Sequence, residues 1–156
     1  MEVEGFTPFW AVTKHDDVME IERNPEIFTN EPIPTYAQVV GVVNAKAAPR
    51  DYMITAAGGL PGETMKNWRC KTTNSYDLEF GFSCMGYEIA GAMGIKMALP
   101  QRDVICMIGD GSYMMANSEL ATAVMMGIPF TVVLTDNRGY GCINRLQAAT
   151  GGAPFN

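Results

Sequence analysis

Asp110 lies in the run Gly109-Asp110-Gly111-Ser112, and Asn137 lies in Asp136-Asn137-Arg138-Gly139-Tyr140-Gly141. Each run directly follows a strand-like stretch, the continuously apolar 104–108 and the largely apolar 130–135. A carboxylate and a side-chain amide both offer hard oxygens. With a backbone carbonyl from the Gly139 turn they make half of an octahedral shell, and phosphate oxygens and water can complete it, as is usual for Mg²⁺. The N–H groups of Gly111 and Ser112 are expected to open a helix, where the macrodipole favours an anion. A Mg²⁺-diphosphate site is therefore the expected chemistry. Gly-Asp-Gly and Asp-Asn-Arg-Gly are each also ordinary turn sequences. Their joint position at the ends of successive strands is what favours the metal.

The elements that must position these residues follow from pattern. Thr35-x-x-Gln38 has capping-box spacing and predicts a helix over 35–47, ended by Pro49. Residues 51–57 read as a short apolar strand running into the loop Gly58-Gly59-Leu60-Pro61-Gly62, whose backbone can approach a ligand closely. Residues 85–99 read as an apolar helix in which Gly86, Gly91 and Gly94 permit close approach to a sheet. Next come a strand at 104–108 buried on both faces, a helix at about 113–126 closed by Gly127 and Pro129, and another buried strand at 130–135. The last three form a right-handed βαβ unit with both loops at the carboxyl edge of a parallel sheet, where open α/β sheets bind ligands.

Composition sets the outer bounds. The 156 residues allow one sizeable core. With 11 Lys and Arg against 17 Asp and Glu, and no basic cluster, nucleic acid is not an expected partner. No apolar run reaches the roughly 20 residues a bilayer requires, and the acidic Met1 segment lacks the basic character of a targeting signal. A cytoplasmic protein with no membrane segment is expected. Cys70, Cys84, Cys106 and Cys142 have no C-x-x-C spacing, and His15 is the one histidine, so neither a zinc site nor a disulfide framework is expected. Cys106 reads as a small buried hydrophobe. A dinucleotide module is disfavoured because G-x-G-x-x-G follows neither strand.

Met93-Gly94, Pro100 and Ile105-x-Met107-x-Gly109-Asp110-Gly111-Ser112, followed by Asn137, resemble the signature of thiamine-diphosphate-dependent enzymes. The resemblance implies an α/β fold, a parallel sheet flanked by helices, forming an incomplete diphosphate-binding domain over 34–156. It implies Asp110, Asn137 and the Gly139 carbonyl as Mg²⁺ ligands, with Gly111 and Ser112 at the diphosphate and Gly141 in the same cofactor loop. Gly58, Gly59 and Leu60 match the loop closing over the diphosphate from the other side. Ser83 and Met85 match the turn under the aminopyrimidine, where the Met85 side chain would wedge the cofactor into a bent shape. Asp136 departs from the paired asparagines of many members.

Ala56 to Glu63, Phe80 to Glu88 and Asp136 to Asn144 resemble, more specifically, the trihydroxycyclohexane-1,2-dione hydrolases of inositol breakdown. This implies hydrolytic C–C cleavage of a small cyclic 1,2-diketone and a homo-oligomeric full-length enzyme. In that family a glutamate from another domain activates the cofactor. No catalytic residue is therefore assigned here, and the chain by itself is expected to be inactive. Glu79 and Glu88 read as solvated or helix-N-terminal charges. The alternatives are a noncatalytic chimeric or truncated fragment and an enzyme of the acetolactate synthase type. Residues 8–32 resemble the N-terminal strand and helix of cytochromes P450, which suggests a junction near Pro34 and a separate segment over 1–33.

Overall fold

A computed structural model describes residues 35–79 and 81–153. Helix α1 (Tyr36–Lys46) begins as its sequence predicts. The Gln38 N–H donates to Thr35 Oγ1 over 3.3 Å, and the Thr35 N–H donates to Gln38 Oε1 over 2.7 Å. Two otherwise unpaired amides are thereby satisfied at the helix start. Strand β1 (Tyr52–Thr55) follows, then α2 (Gly59–Asn67), β2 (Tyr76–Leu78), α3 (Tyr87–Ala98) and β3 (Val104–Gly109). The chain continues through α4 (Asp110–Ala116), α5 (Ser118–Met126), β4 (Thr131–Thr135) and α6 (Gly141–Ala149).

All four strands are parallel, in the order β2-β1-β3-β4. Alternation along the strands divides the core between the two faces of the sheet. Met53, Ile105 and Met107 meet Val40 of α1 with Leu60 and Trp68 on one side. Ile54, Val104, Cys106 and Ile108 meet Ile89 and Ala92 of α3 on the other. Burying each large apolar side chain contributes about 1.5–3 kcal/mol. That outweighs the intrinsic helix preference of Met107, which is worth at most about 0.7 kcal/mol per residue. From β1 the chain moves outward to β2 and then returns across the sheet to β3. The direction of winding therefore reverses between β1 and β3, the switch point at which open α/β sheets bind ligands.

Several expectations are corrected. The glycine-rich segment after β1 is not an open loop, because α2 begins at Gly59 and includes Pro61 and Gly62. Proline fits there because amides in the first helical turn lack intrahelical partners. The apolar helix opens at Tyr87 rather than Met85, with Gly86 left-handed at its N-cap (φ 91°). The stretch read as one helix over 113–126 is two, and the first begins at Asp110 itself. They part at Asn117, whose carbonyl accepts from Leu120 three residues on. Strand β4 borders the described sheet and is only partly covered, with Leu134 47% exposed.

The glycines of α3 differ from one another in what surrounds them. A Cβ on Gly91 would stand 2.5 Å from Ile54 Cδ1, whereas one on Gly94 would meet nothing within 4 Å. Close approach to the sheet is therefore confined to Gly91. The elements expected before residue 34, including the cytochrome P450-like stretch, lie outside the described residues.

Candidate functional site

The loops following β1, β3 and β4 and the turn after β2 gather at the carboxyl edge of the sheet. Asp110 is the first residue of α4, directly beyond β3. Its Oδ2 accepts the backbone N–H of Gly139 over 2.8 Å, which joins the β3 loop to the β4 loop. Asn137, two residues before Gly139, donates from Nδ2 to the Tyr36 hydroxyl over 2.7 Å. Asp110 Oδ1 and Asn137 Oδ1 have no hydrogen-bond partner among the described residues. Two hard oxygens thus remain uncommitted on loops that the structure brings together. Among the described residues no group of three or more His, Cys, Asp or Glu side chains converges on a metal position. The donor set here is one carboxylate, one amide and backbone, which suits a hard divalent cation.

Gly111 has no room for a side chain. A Cβ there would fall 2.8 Å from the Tyr140 ring and 3.4 Å from Met85 Cε. Met85 and the β4 loop therefore meet over the start of α4. Gly58 is left-handed (φ 97°) at the start of α2. A Cβ on Gly59 would approach Arg145 Nη2 to 3.1 Å and the Tyr36 ring to 3.4 Å. Leu60 is 3% exposed and packs in the core with Met53 and Trp68. Gly141 lies against Asn137, whose Nδ2 would be 3.0 Å from a Cβ at that glycine. Of the expected residues, Asp110, Gly111, Asn137, Gly139, Gly141 and Met85 share this cluster of contacts. Gly59 joins it through Tyr36.

Ser83 adopts a left-handed conformation (φ 54°) in the turn after β2. That turn is organised by Glu79, which accepts from Phe82 N–H over 2.9 Å and Cys84 N–H over 2.5 Å. These amides, Cys84 first, lower the Glu79 pKa.

Glu88 lies in the first turn of α3, as one of its two expected settings has it, but it is 1% exposed rather than solvated. Its two oxygens accept from Ser112 Oγ over 2.8 and 2.7 Å. Burial is the main cause of its raised pKa, opposed by hydrogen bonds from Ser112 and from backbone groups. Ser112 is buried with its hydroxyl turned to Glu88, so only its backbone can serve an anion at the start of α4.

Tyr36 and Glu88 were missed as site residues. Glu88 sits three and four residues before Gly91 and Ala92, on the buried stripe of α3, and that spacing was the available signal. Tyr36 carried no such signal. All four cysteines are free, and burial pushes the Cys106 thiol up, in keeping with its reading as core.

Comparison with known proteins gives a consistent picture. The family profile for the thiamine pyrophosphate enzyme C-terminal TPP binding domain matches residues 56–156. The 3D-(3,5/4)-trihydroxycyclohexane-1,2-dione hydrolase of Geobacillus thermodenitrificans is 42% identical over 152 residues, 97% of this chain and 23% of that protein. Its namesake from Halalkalibacterium halodurans is 41% identical over 144 residues, 84% of this chain and 23% of that protein. Among solved structures, the Rhodococcus jostii RHA1 thiamine diphosphate-dependent 4-hydroxybenzoylformate decarboxylase superposes with a TM-score of 0.67 and 25% identity. That match covers 76% of this chain and 23% of the other. The chain thus spans about a quarter of the length of these relatives. None of these matches supports the cytochrome P450 likeness of residues 8–32.

Proposed function

This chain belongs to the thiamine pyrophosphate enzyme family, within its C-terminal TPP-binding domain, and from that membership we propose that it binds thiamine diphosphate together with Mg²⁺. In this reading it is the cofactor-binding portion of a hydrolase that opens trihydroxycyclohexane-1,2-dione, a small cyclic diketone, in myo-inositol catabolism. The names of the relatives at 42% and 41% identity support the substrate class.

The observation that carries the metal site is the Asp110–Gly139 hydrogen bond, which closes the two loops and leaves hard oxygens uncommitted. Asp110, Asn137 and the Gly139 carbonyl would hold the cation. The backbone amides of Gly111 and Ser112 would meet the diphosphate, since the first N–H groups of a helix have no internal partners. Gly58 and Gly59 would approach it from the β1 side, and Met85 with the Ser83 carbonyl would support the aminopyrimidine. Bound thiamine diphosphate supplies an electron sink that lets a C–C bond beside a carbonyl break. What this chain contributes is binding and orientation, with the activating acid and the substrate contacts assigned to no residue here. By itself it is inactive in this reading. We place the full enzyme in the cytoplasm as a homo-oligomer, a setting in which the four free thiols stay reduced.

Isothermal titration of the folded chain with thiamine diphosphate, with and without Mg²⁺, tests the proposal. Saturable heat that disappears on chelation is expected. No heat from a sample with native circular dichroism would overturn it and favour a noncatalytic fragment.

A further inference from the structure

Glu88 is a buried carboxylate, and neither ion pair recorded among the described residues involves it. A buried anion without a cation persists only when hydrogen bonds hold it. Ser112 Oγ lies 2.8 and 2.7 Å from its two oxygens, and Gly86 N–H donates to Oε2 over 3.1 Å. The Gly86 N–H also reaches Ser112 Oγ over 2.7 Å. That hydroxyl therefore accepts from Gly86 and directs its own proton to Glu88. One side chain is thus tied to the N-cap of α3 and the start of α4.

These same two segments carry Met85 and Asp110-Gly111. Gly86 follows Met85 directly, and Ser112 follows Gly111. Met85 Cε stands 3.4 Å from where a Cβ on Gly111 would lie. A displacement of either segment would open or close that contact.

We infer that Glu88 is a positioning residue that sets the separation between Met85 and Gly111, and so couples the two ends of the bound cofactor. The inference rests on the proposed thiamine diphosphate reading, in which Met85 supports the aminopyrimidine end and Gly111 the diphosphate end. Glu88 acts through Ser112 and Gly86 rather than by touching the ligand.

The test compares two ligands on the full chain by calorimetry. Thiamine diphosphate with Mg²⁺ spans both ends of the site, whereas inorganic pyrophosphate with Mg²⁺ engages one. Glu88→Leu and Ser112→Ala are expected to weaken thiamine diphosphate by about tenfold or more, in line with other supporting-shell losses, and pyrophosphate by less than about threefold. Glu88→Gln keeps an accepting oxygen and gains a donor for Ser112 Oγ, so it should stay within about threefold of the parent for both ligands. Equal weakening of both ligands would show a merely structural role and overturn the inference. Unchanged thiamine diphosphate affinity in folded variants would overturn it as well. Should Glu88→Leu fail to fold, Ser112→Ala, which removes only one hydroxyl, decides. A parent chain that binds neither ligand overturns the functional reading and the inference with it. A parent that binds, with indifferent variants, overturns the inference alone.

Discussion

Gly139 donates its backbone N–H to Asp110 Oδ2 over 2.8 Å, across 29 residues of sequence. The bond is possible because β3 and β4 are parallel neighbours, with Gly109 paired to Thr135, so their carboxyl ends finish side by side. Adjacent strands lie about 4.8 Å apart, within reach of one short side chain. Asp110 thus locks the two loops with one oxygen and keeps the other available.

Asp110→Asn should separate these two roles. The amide retains an oxygen for the Gly139 N–H but removes the only charged ligand of the proposed cation. Loss of an outer-shell partner alone costs about 10- to 100-fold in metal affinity, so loss of this ligand is expected to cost at least about 100-fold. Mg²⁺-dependent thiamine diphosphate binding, measured by calorimetry beside a thermal melt, checks it. Undiminished affinity would remove Asp110 from the ligand set.

Tyr36→Phe probes the orientation of Asn137. The Tyr36 hydroxyl accepts from Asn137 Nδ2, which leaves Oδ1 as the atom free to face a cation. Without that partner the amide is free to rotate. Mg²⁺ affinity should fall by about tenfold, while stability changes by no more than about 1 kcal/mol. Metal titration and urea unfolding of the same sample separate the two effects.

Gly91→Ala and Gly94→Ala should move stability in opposite directions. The Gly91 methyl would stand 2.5 Å from the fully buried Ile54 side chain. Overpacking of that kind costs about 1–3 kcal/mol, more than the gain of up to about 1 kcal/mol from helix propensity. The Gly94 methyl meets nothing within 4 Å, so it should stabilise by roughly 0.5–1 kcal/mol. Urea midpoints for the two variants give the signs directly.

Glu79→Gln should alter the acid limb of stability. Amides of Cys84 and Phe82 lower the Glu79 pKa from its usual 4.5 in the folded state. An acid with a depressed folded pKa contributes stability above its unfolded value and loses it as pH falls through the folded one. The parent should therefore melt above the variant at neutral pH, and the gap should close as the pH drops below about 4.5. A gap that persists in acid would assign the effect to something other than this carboxylate.

Local signals made much of this architecture legible. Thr35 and Gln38 marked the start of α1 because a capping box is satisfied within four residues. The apolar run 104–108 marked β3 because burial on both faces demands it. Asp110 and Asn137 stood out because each ends a strand with an oxygen-bearing side chain, and the structure does place their loops in contact.

Local pattern alone thus supplied β1, β3 and β4, the oxygen-bearing residues that follow β3 and β4, and the fold family these imply, while the short β2 and its edge place beside β1 came only from the folded chain. The folded chain also showed that α2 begins within a glycine-proline run, where position in the first turn overrides propensity. It also decided that Glu88 is buried and that Tyr36 serves Asn137. Such pairings, 24 residues apart for Glu88 with Ser112 and 101 for Tyr36 with Asn137, depend on how the sheet brings distant segments to one edge. Local periodicity carries no record of that, because hydrogen bonds between side chains far apart in sequence exist only once the backbone has closed around them.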